Sequence, residues 1–225
     1  MGYKSRTFSS PNSVLFWGML PFLIPLILLI LFYPELNSQL PQLIDEMHYV
    51  LSENAQALGI SSAQMQLITS SMEKTLNWTL RLAPGILFTL FMSIVLFGYL
   101  GASAVSSHFG AILPRYKPLY LWKLSEFWLV PLGLSFLFIL LGGSVLKPIG
   151  ENTLFFMVHL YAFFGLCFVD FYFKRMNIPG PVRLVVYLFV MIVLVIVIPI
   201  LAVIGVIDSR FDFRKNSQFV NKSIK

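Results

Sequence analysis

Long apolar stretches alternate with short polar ones along this chain. Val14 to Tyr33 contains no charged residue and is about twenty residues long, which is the length a helix needs to cross a bilayer. Further predicted transmembrane helices lie at 83–107, 127–145, 153–171 and 184–207. The pattern therefore predicts an all-α integral membrane protein with about five transmembrane helices.

Residues 34–82, between the first and second predicted spans, have the period of amphipathic helices. Apolar positions recur there at intervals of three and four, at Leu40, Leu43, Ile44, Met47 and Leu51. Pro34 helps to end the first span, and Gly59 supplies the left-handed residue that often follows a helix. Ser61 and Gln64 have the spacing of a capping box. This segment is predicted to be an amphipathic helical hairpin.

The hairpin has three possible roles. It is an interfacial pair of helices on the membrane, a lid over the helix bundle, or a docking surface for another membrane subunit through residues 35–82. A simpler interpretation assigns it none of these roles, and its apolar face packs on the protein's own helices or on lipid. Its acidic polar face disfavours binding of anionic lipid by charge.

Small residues mark the end of the second predicted span. Gly98, Gly101, Ala102 and Ser106 include pairs four residues apart, which permit close approach between helices. We expect this face to pack within the protein; the alternative is that residues 98–106 bind a partner subunit.

The aromatic segment, Leu119–Pro131, combines four rings with ionic groups just before an apolar stretch. Rings with one polar edge favour the boundary between membrane and water. We therefore predict that Trp122 and Trp128 lie at the level of the lipid headgroups and fix the depth of the adjoining helix.

The composition agrees with a membrane location. Of 225 residues, 57% are hydrophobic and 12% are charged, against roughly 25% charged in soluble domains. The net charge of +6 forms no separate basic stripe, so membrane lipid is a simpler partner than nucleic acid. Polar tails are expected at 1–13 and 208–225. Lys and Arg divide equally between the two sides, so they predict no orientation.

Ionisable residues at membrane depth are candidates for function, because isolated charge is costly there. His159 is the deepest, whereas Glu126, Asp170 and Asp208 lie near predicted helix ends. Structural roles are favoured for the carboxylates, and His159 is either a neutral core residue or a proton or substrate group. Catalytic motifs, cofactor motifs and a clustered metal site are missing from the sequence, which predicts a protein that is not an enzyme.

Residues from about 40 to 215 resemble the YybS-like family of predicted bacterial membrane proteins. Four segments carry the resemblance: RLAPGILF (81–88), WKLSEFW (122–128), LYAFFGLCFVDFYFKR (160–175) with Tyr161 and Gly165, and GVIDSRFDFRK (205–215). Ser125 and Phe164 depart from the family pattern, which tends to have Pro and Gln there. Members usually have additional amino-terminal spans, so the chain resembles a short member or a fragment.

The resemblance implies a location in the inner, or cytoplasmic, membrane and a fold similar to the S components of energy-coupling-factor transporters. It thereby implies a small-molecule binding or transport subunit whose substrate is unknown. We expect a ligand to contact His159, Glu126, Trp122 and Tyr161. The alternative is a structural or assembly subunit of a membrane protein complex.

Overall fold

A computed structural model describes residues 17–18, 20–55, 59–108, 118–211 and 213–214. These residues form helices and connecting turns and contain no strand, which confirms the all-α class. The α-helices are α1 (Leu23–Ala55), α2 (Ser62–His108), α3 (Leu129–Leu141), α4 (Leu146–Arg175), α5 (Gly180–Ile192) and α6 (Leu194–Phe211). Short 3₁₀ helices lie at Leu20–Phe22, Leu119–Leu121 and Glu126–Trp128.

The two longest helices, α1 and α2, run antiparallel to each other. The end of α1 and the start of α2 form the helical hairpin predicted at residues 34–82. The two helices contain 33 and 47 residues, which corresponds to about 50 Å and 70 Å at 1.5 Å per residue. The prediction that the first helix ends at Pro34 is wrong, because α1 continues through Pro34 and Pro41 to Ala55. A proline removes only one helical hydrogen bond, and packing of α1 along α2 offsets that loss. The amphipathic helices are thus direct continuations of the apolar ones.

The hairpin turn has the local structure that its sequence predicts. Gly59 has a φ of 66°, in the left-handed region. The backbone N–H of Ser61 donates to Gln64 Oε1 over 3.0 Å, and the backbone N–H of Gln64 donates to Ser61 Oγ over 3.4 Å. The predicted capping box is therefore confirmed.

Helix α4 is the centre of the helix bundle and packs against α2, α3 and α6. Its buried side chains include Phe156, Leu160, Tyr161 and Phe164. Because apolar residues surround α4 on most sides, it can contact three helices at once. The core therefore lies along α4.

Pairs of contacts give the directions of the neighbouring helices. Gly85 lies beside Asn152, and the Phe88 and Phe156 ring centroids are 4.4 Å apart, so α2 runs parallel to α4. The approach of Gly165 to Leu201 and of Gly205 to Tyr161 makes α6 antiparallel to α4. The start of α4 therefore lies on the side of the bundle from which the hairpin extends.

Among the described residues, two helices are long and apolar enough to cross a membrane. They are Ser62–Gly98 and Leu146–Arg175, and α5 with α6 would make a third if the bent pair is one span. Two or three of the five predicted spans therefore meet the length and composition of a transmembrane helix in the described part of the chain, and the count of five is not confirmed.

Two of the predicted spans, 127–145 and 184–207, are shorter or less continuous than predicted. The apolar helix Glu126–Leu141 is shorter than a typical span, so the predicted helix 127–145 ends early, before Gly142. The predicted helix 184–207 is interrupted at Val193, where α5 and α6 are bent by 115°. Neither break has a charged residue to mark it in the sequence.

Candidate functional site

The aromatic segment contains non-helical backbone that lies against α4. Trp122 and Ser125 have extended backbone angles between two 3₁₀ helices. Trp122 is 1% exposed, and its ring centroid lies 6.3 Å from that of Phe163 on α4. Trp122 is therefore an interior side chain, and its predicted depth at the level of the lipid headgroups stays a prediction. Backbone without helical hydrogen bonds is tolerated at membrane depth only where protein or water satisfies its polar groups.

Arg214 supplies hydrogen bonds to this backbone. Its Nη1 donates to the carbonyl oxygens of Tyr120 and Trp122 over 2.7 Å and 3.0 Å. On its other side, Nη2 donates to Asp208 Oδ2 over 2.7 Å and Nε donates to Oδ1 over 3.3 Å. Arg214 is 5% exposed and Asp208 is 2% exposed, so this bidentate pair is buried.

Two aromatic rings of α4 complete the surroundings of the arginine. The guanidinium carbon lies 5.5 Å from the ring centroid of Phe168 and 5.7 Å from that of Phe171. Cation–π attraction is strongest where water is excluded. Arg214 therefore connects the aromatic segment, α4 and the end of α6 in one buried cluster, which we call the arginine cluster.

A second polar cluster joins α2 to the start of α4. The Asn152 side-chain amide donates to the Arg81 carbonyl over 2.9 Å, while its Oδ1 accepts from the Gly85 N–H over 2.7 Å. In an uninterrupted helix these two backbone groups bond to each other. Pro84 lies between them, so the Asn152 carboxamide takes the place of the helical partner at the proline.

Substitution of Asn152 by alanine is expected to lower the free energy of unfolding by about 2 kcal/mol, because two part-buried backbone groups lose their partner. The cost should shrink in a Pro84→Ala background, where the helical bond between Gly85 and Arg81 can form. Thermal unfolding in detergent measures both. Asn77→Ala is the matched control, because Asn77 is exposed and bonds only within its own helix. Equal costs in both backgrounds would contradict the bridging role.

A third polar contact holds α5 against α4. Tyr187 donates its hydroxyl hydrogen to Asp170 Oδ1 over 2.6 Å, and Arg183 Nη1 lies 3.3 Å from the same oxygen. Asp170 therefore has two partners on α5, which favours the structural role expected for it.

The predicted ligand residues lie in different surroundings. Tyr161 is completely buried, and its hydroxyl group faces Ser209 without the alignment of a hydrogen bond. Glu126 is exposed and pairs with Arg210 over 3.2 Å. His159 Nδ1 donates to the Phe155 carbonyl over 2.8 Å, because a carbonyl oxygen can only accept. Trp122 and Tyr161 are thus interior residues, whereas Glu126 is on the surface.

The predicted small-residue face is not a helix contact at its two described glycines. Gly98 and Gly101 are exposed, and no described atom lies within 4 Å of a Cβ built on either. The side chains of Ala102 and Ser106 lie outside the described residues. These two glycines therefore do not pack against the described part of the protein, contrary to the prediction. The alternative, that residues 98–106 bind a partner subunit, stays a prediction.

The close helix contact is instead between α4 and α6. A Cβ on Gly165 would lie 2.0 Å from the Leu201 carbonyl oxygen, and one on Gly205 would lie 2.1 Å from that of Tyr161. The sequence carries a signal for this contact, since a buried alanine precedes each glycine by three residues, at Ala162 and Ala202.

These features define a helical membrane protein with buried polar clusters between its helices. In the described part of the chain, no group of three or more His, Cys, Asp or Glu residues is placed to hold a metal ion. A family described as "Predicted membrane protein (DUF2232)" matches residues 1–209, and the chain belongs to this family. This confirms the resemblance to YybS-like membrane proteins. No curated protein and no solved structure has significant similarity to the chain.

The four segments that carry the family resemblance contribute to two of the clusters. The arginine cluster combines Trp122, Phe168, Asp208 and Arg214, which come from the second, third and fourth segments. The first segment, 81–88, provides the backbone groups that Asn152 binds. The resemblance therefore rests on residues that join helices.

Proposed function

We propose that this protein is a non-enzymatic small-molecule binding or transport subunit of the cytoplasmic membrane, resembling an S component. The non-helical backbone at 122–125, between two short 3₁₀ helices, is the observation that supports it most. Transporters commonly place their substrates beside broken helices, because unwound backbone offers polar groups at membrane depth. Here the carbonyls of Tyr120 and Trp122 are held by Arg214, a side chain whose movement would free them.

The proposed ligand contact is the surface between the extended residues 122–125 and α4. Trp122 and Leu124 are each 1% exposed, so the described conformation is closed around this segment. Tyr161, whose buried hydroxyl has no aligned partner, is a second group for a ligand to contact. Ligand entry would then require the segment to separate from α4.

A thermal-shift screen of the purified protein with water-soluble vitamins and divalent cations tests this proposal. A ligand at a hundred times its dissociation constant is expected to raise the unfolding temperature by roughly 5 °C. The shift should be lost in Trp122→Phe and kept in the exposed control Trp17→Phe. A screen without any shift, together with no co-purified small molecule, would count against a binding function.

The second proposal is an assembly subunit in which the hairpin is the docking arm. Its polar halves continue the apolar halves of α1 and α2, and apolar side chains remain exposed on it, including Tyr49 at 68% and Leu67 at 69%. Photo-crosslinkers at these two positions should capture the same polypeptide. A crosslinker at the exposed span residue Ile94 is the control, and equal capture from Ile94 would argue against a docking arm.

A further inference from the structure

A groove of about 250 Å³ lies between α2, α3 and α4, on the side of the bundle from which the hairpin extends. Most of its lining is apolar, and a single ion pair lies among the apolar side chains. The lining residues are Trp78, Leu82, Ile139, Leu154 and Phe155, with Arg81 and Glu151 as the ion pair. Its polar and apolar parts are therefore adjacent, as they are in an amphipathic ligand.

The ion pair indicates where the groove lies relative to the membrane. No Asp, Glu, Lys or Arg occurs between Arg81 and Arg115, nor between Glu151 and Asp170. Because α2 and α4 are parallel, Arg81 and Glu151 stand at the same end of two uncharged helical stretches. Charges that flank apolar spans lie at the level of the lipid headgroups. The apolar part of the groove then continues into the level of the acyl chains.

Arg81 retains donors for a further acceptor. Its Nη2 donates to Glu151 Oε1 over 2.7 Å, and its Nε faces Glu151 Oε2. No described residue accepts from Nη1, and the Arg81 side chain is 38% exposed. A phosphate is a suitable acceptor, because a guanidinium binds its oxygens through charge-assisted hydrogen bonds.

The groove also has groups that suit a cation. Glu151 is 24% exposed at its side chain, and Trp78 is 69% exposed. An alkylammonium group is attracted both by a carboxylate and by the face of an indole ring. Since the Arg81–Glu151 pair is neutral overall, a neutral zwitterion fits it without leaving an unbalanced charge in a partly buried place.

We propose that this groove binds a phospholipid with a zwitterionic phosphoethanolamine headgroup. The phosphate accepts from Arg81 Nη1, the ammonium lies between Trp78 and Glu151, and one acyl chain follows the apolar wall formed by Leu82, Ile139, Leu154 and Phe155. The lipid thereby covers the contact between α2 and the start of α4. This site is separate from the arginine cluster and does not depend on the proposed transport function.

Native mass spectrometry of the full chain in a mild detergent tests the proposal, with dioleoyl-phosphatidylethanolamine and dioleoyl-phosphatidylglycerol as probes. We expect about tenfold more retention of the phosphatidylethanolamine, equivalent to one charge-assisted contact. Arg81→Gln should weaken the retention of both lipids, because both carry the phosphate that Arg81 binds, whereas Glu151→Gln should abolish the preference, because only the ethanolamine headgroup carries a cation. Arg210→Gln is the matched control, because it removes an ion pair that is fully outside the groove.

Two further measurements test the proposed contacts of the ammonium group and of the acyl chain. Trp78→Leu should reduce the preference severalfold without unfolding the protein, because Trp78 is exposed and leucine preserves an apolar wall. Free glycerophosphoethanolamine should fail to compete, because it lacks the acyl chain. Equal retention of the two lipids, or an unchanged preference in both Glu151→Gln and Trp78→Leu, would overturn the proposal. Full competition by the free headgroup would replace the lipid with a soluble phosphate ester.

Discussion

Replacing Arg214 with methionine is expected to lower the free energy of unfolding by about 3–5 kcal/mol, because the change removes the positive charge that is paired with the buried Asp208 carboxylate. It also removes the donors for the carbonyls of Tyr120 and Trp122. Denaturant unfolding in detergent, followed by tryptophan fluorescence, measures the change.

Two variants test this explanation. Arg210→Gln removes an exposed ion pair, with side chains 63% and 58% exposed, and should cost about 0–1 kcal/mol. The double variant Asp208→Leu with Arg214→Met should be less destabilised than Arg214→Met alone, because no buried charge is left unpaired. If Arg214→Met costs no more than Arg210→Gln, the arginine cluster does not stabilise the fold.

Substitution of Gly165 by alanine is expected to lower the free energy of unfolding by about 3 kcal/mol. The new methyl group would overlap the Leu201 carbonyl oxygen, which is part of a helix backbone and cannot rotate away. Helices α4 and α6 would have to move apart, and their other close contact, at Gly205, would loosen as well. The unfolding temperature in detergent is the measurement.

Gly98→Ala is the matched control for this substitution. Gly98 is also a helical glycine, but no described atom lies within 4 Å of the position that the alanine methyl group would take, so alanine should be neutral or stabilise the helix by about 0.5–1 kcal/mol. A similar loss in both variants would mean that helix propensity or lipid contacts dominate and that the close approach of α4 to α6 is not critical.

Local features of the hairpin are predictable from neighbouring residues. The left-handed Gly59 and the capping box of Ser61 with Gln64 depend on interactions within four residues, and both are confirmed. The helix end expected at Pro34 is wrong, because the prediction used only the local cost of a proline in a helix. That local rule takes no account of the packing of α1 on α2.

The aromatic segment shows the limit of reasoning from residue types. Its rings are typical of a membrane boundary, yet Trp122 is buried against Phe163. The reason is Arg214, which is 92 residues away from Trp122 in sequence and satisfies its carbonyl. Similarly, the small residues from Gly98 to Ser106 have the spacing of a helix contact, but no described atom is close to Gly98 or Gly101, and a close contact forms at Gly165 and Gly205.

The sequence by itself determines that this protein is an all-α membrane protein, because apolar length and the absence of charge are properties of single segments. It also determines the family, since the resemblance lies in ordered residues along the chain. Only the tertiary structure decides which polar residues meet. The pairing of Arg214 with Asp208 and the insertion of Asn152 beside Pro84 depend on helix packing, in which buried polar groups must find partners wherever the fold provides them.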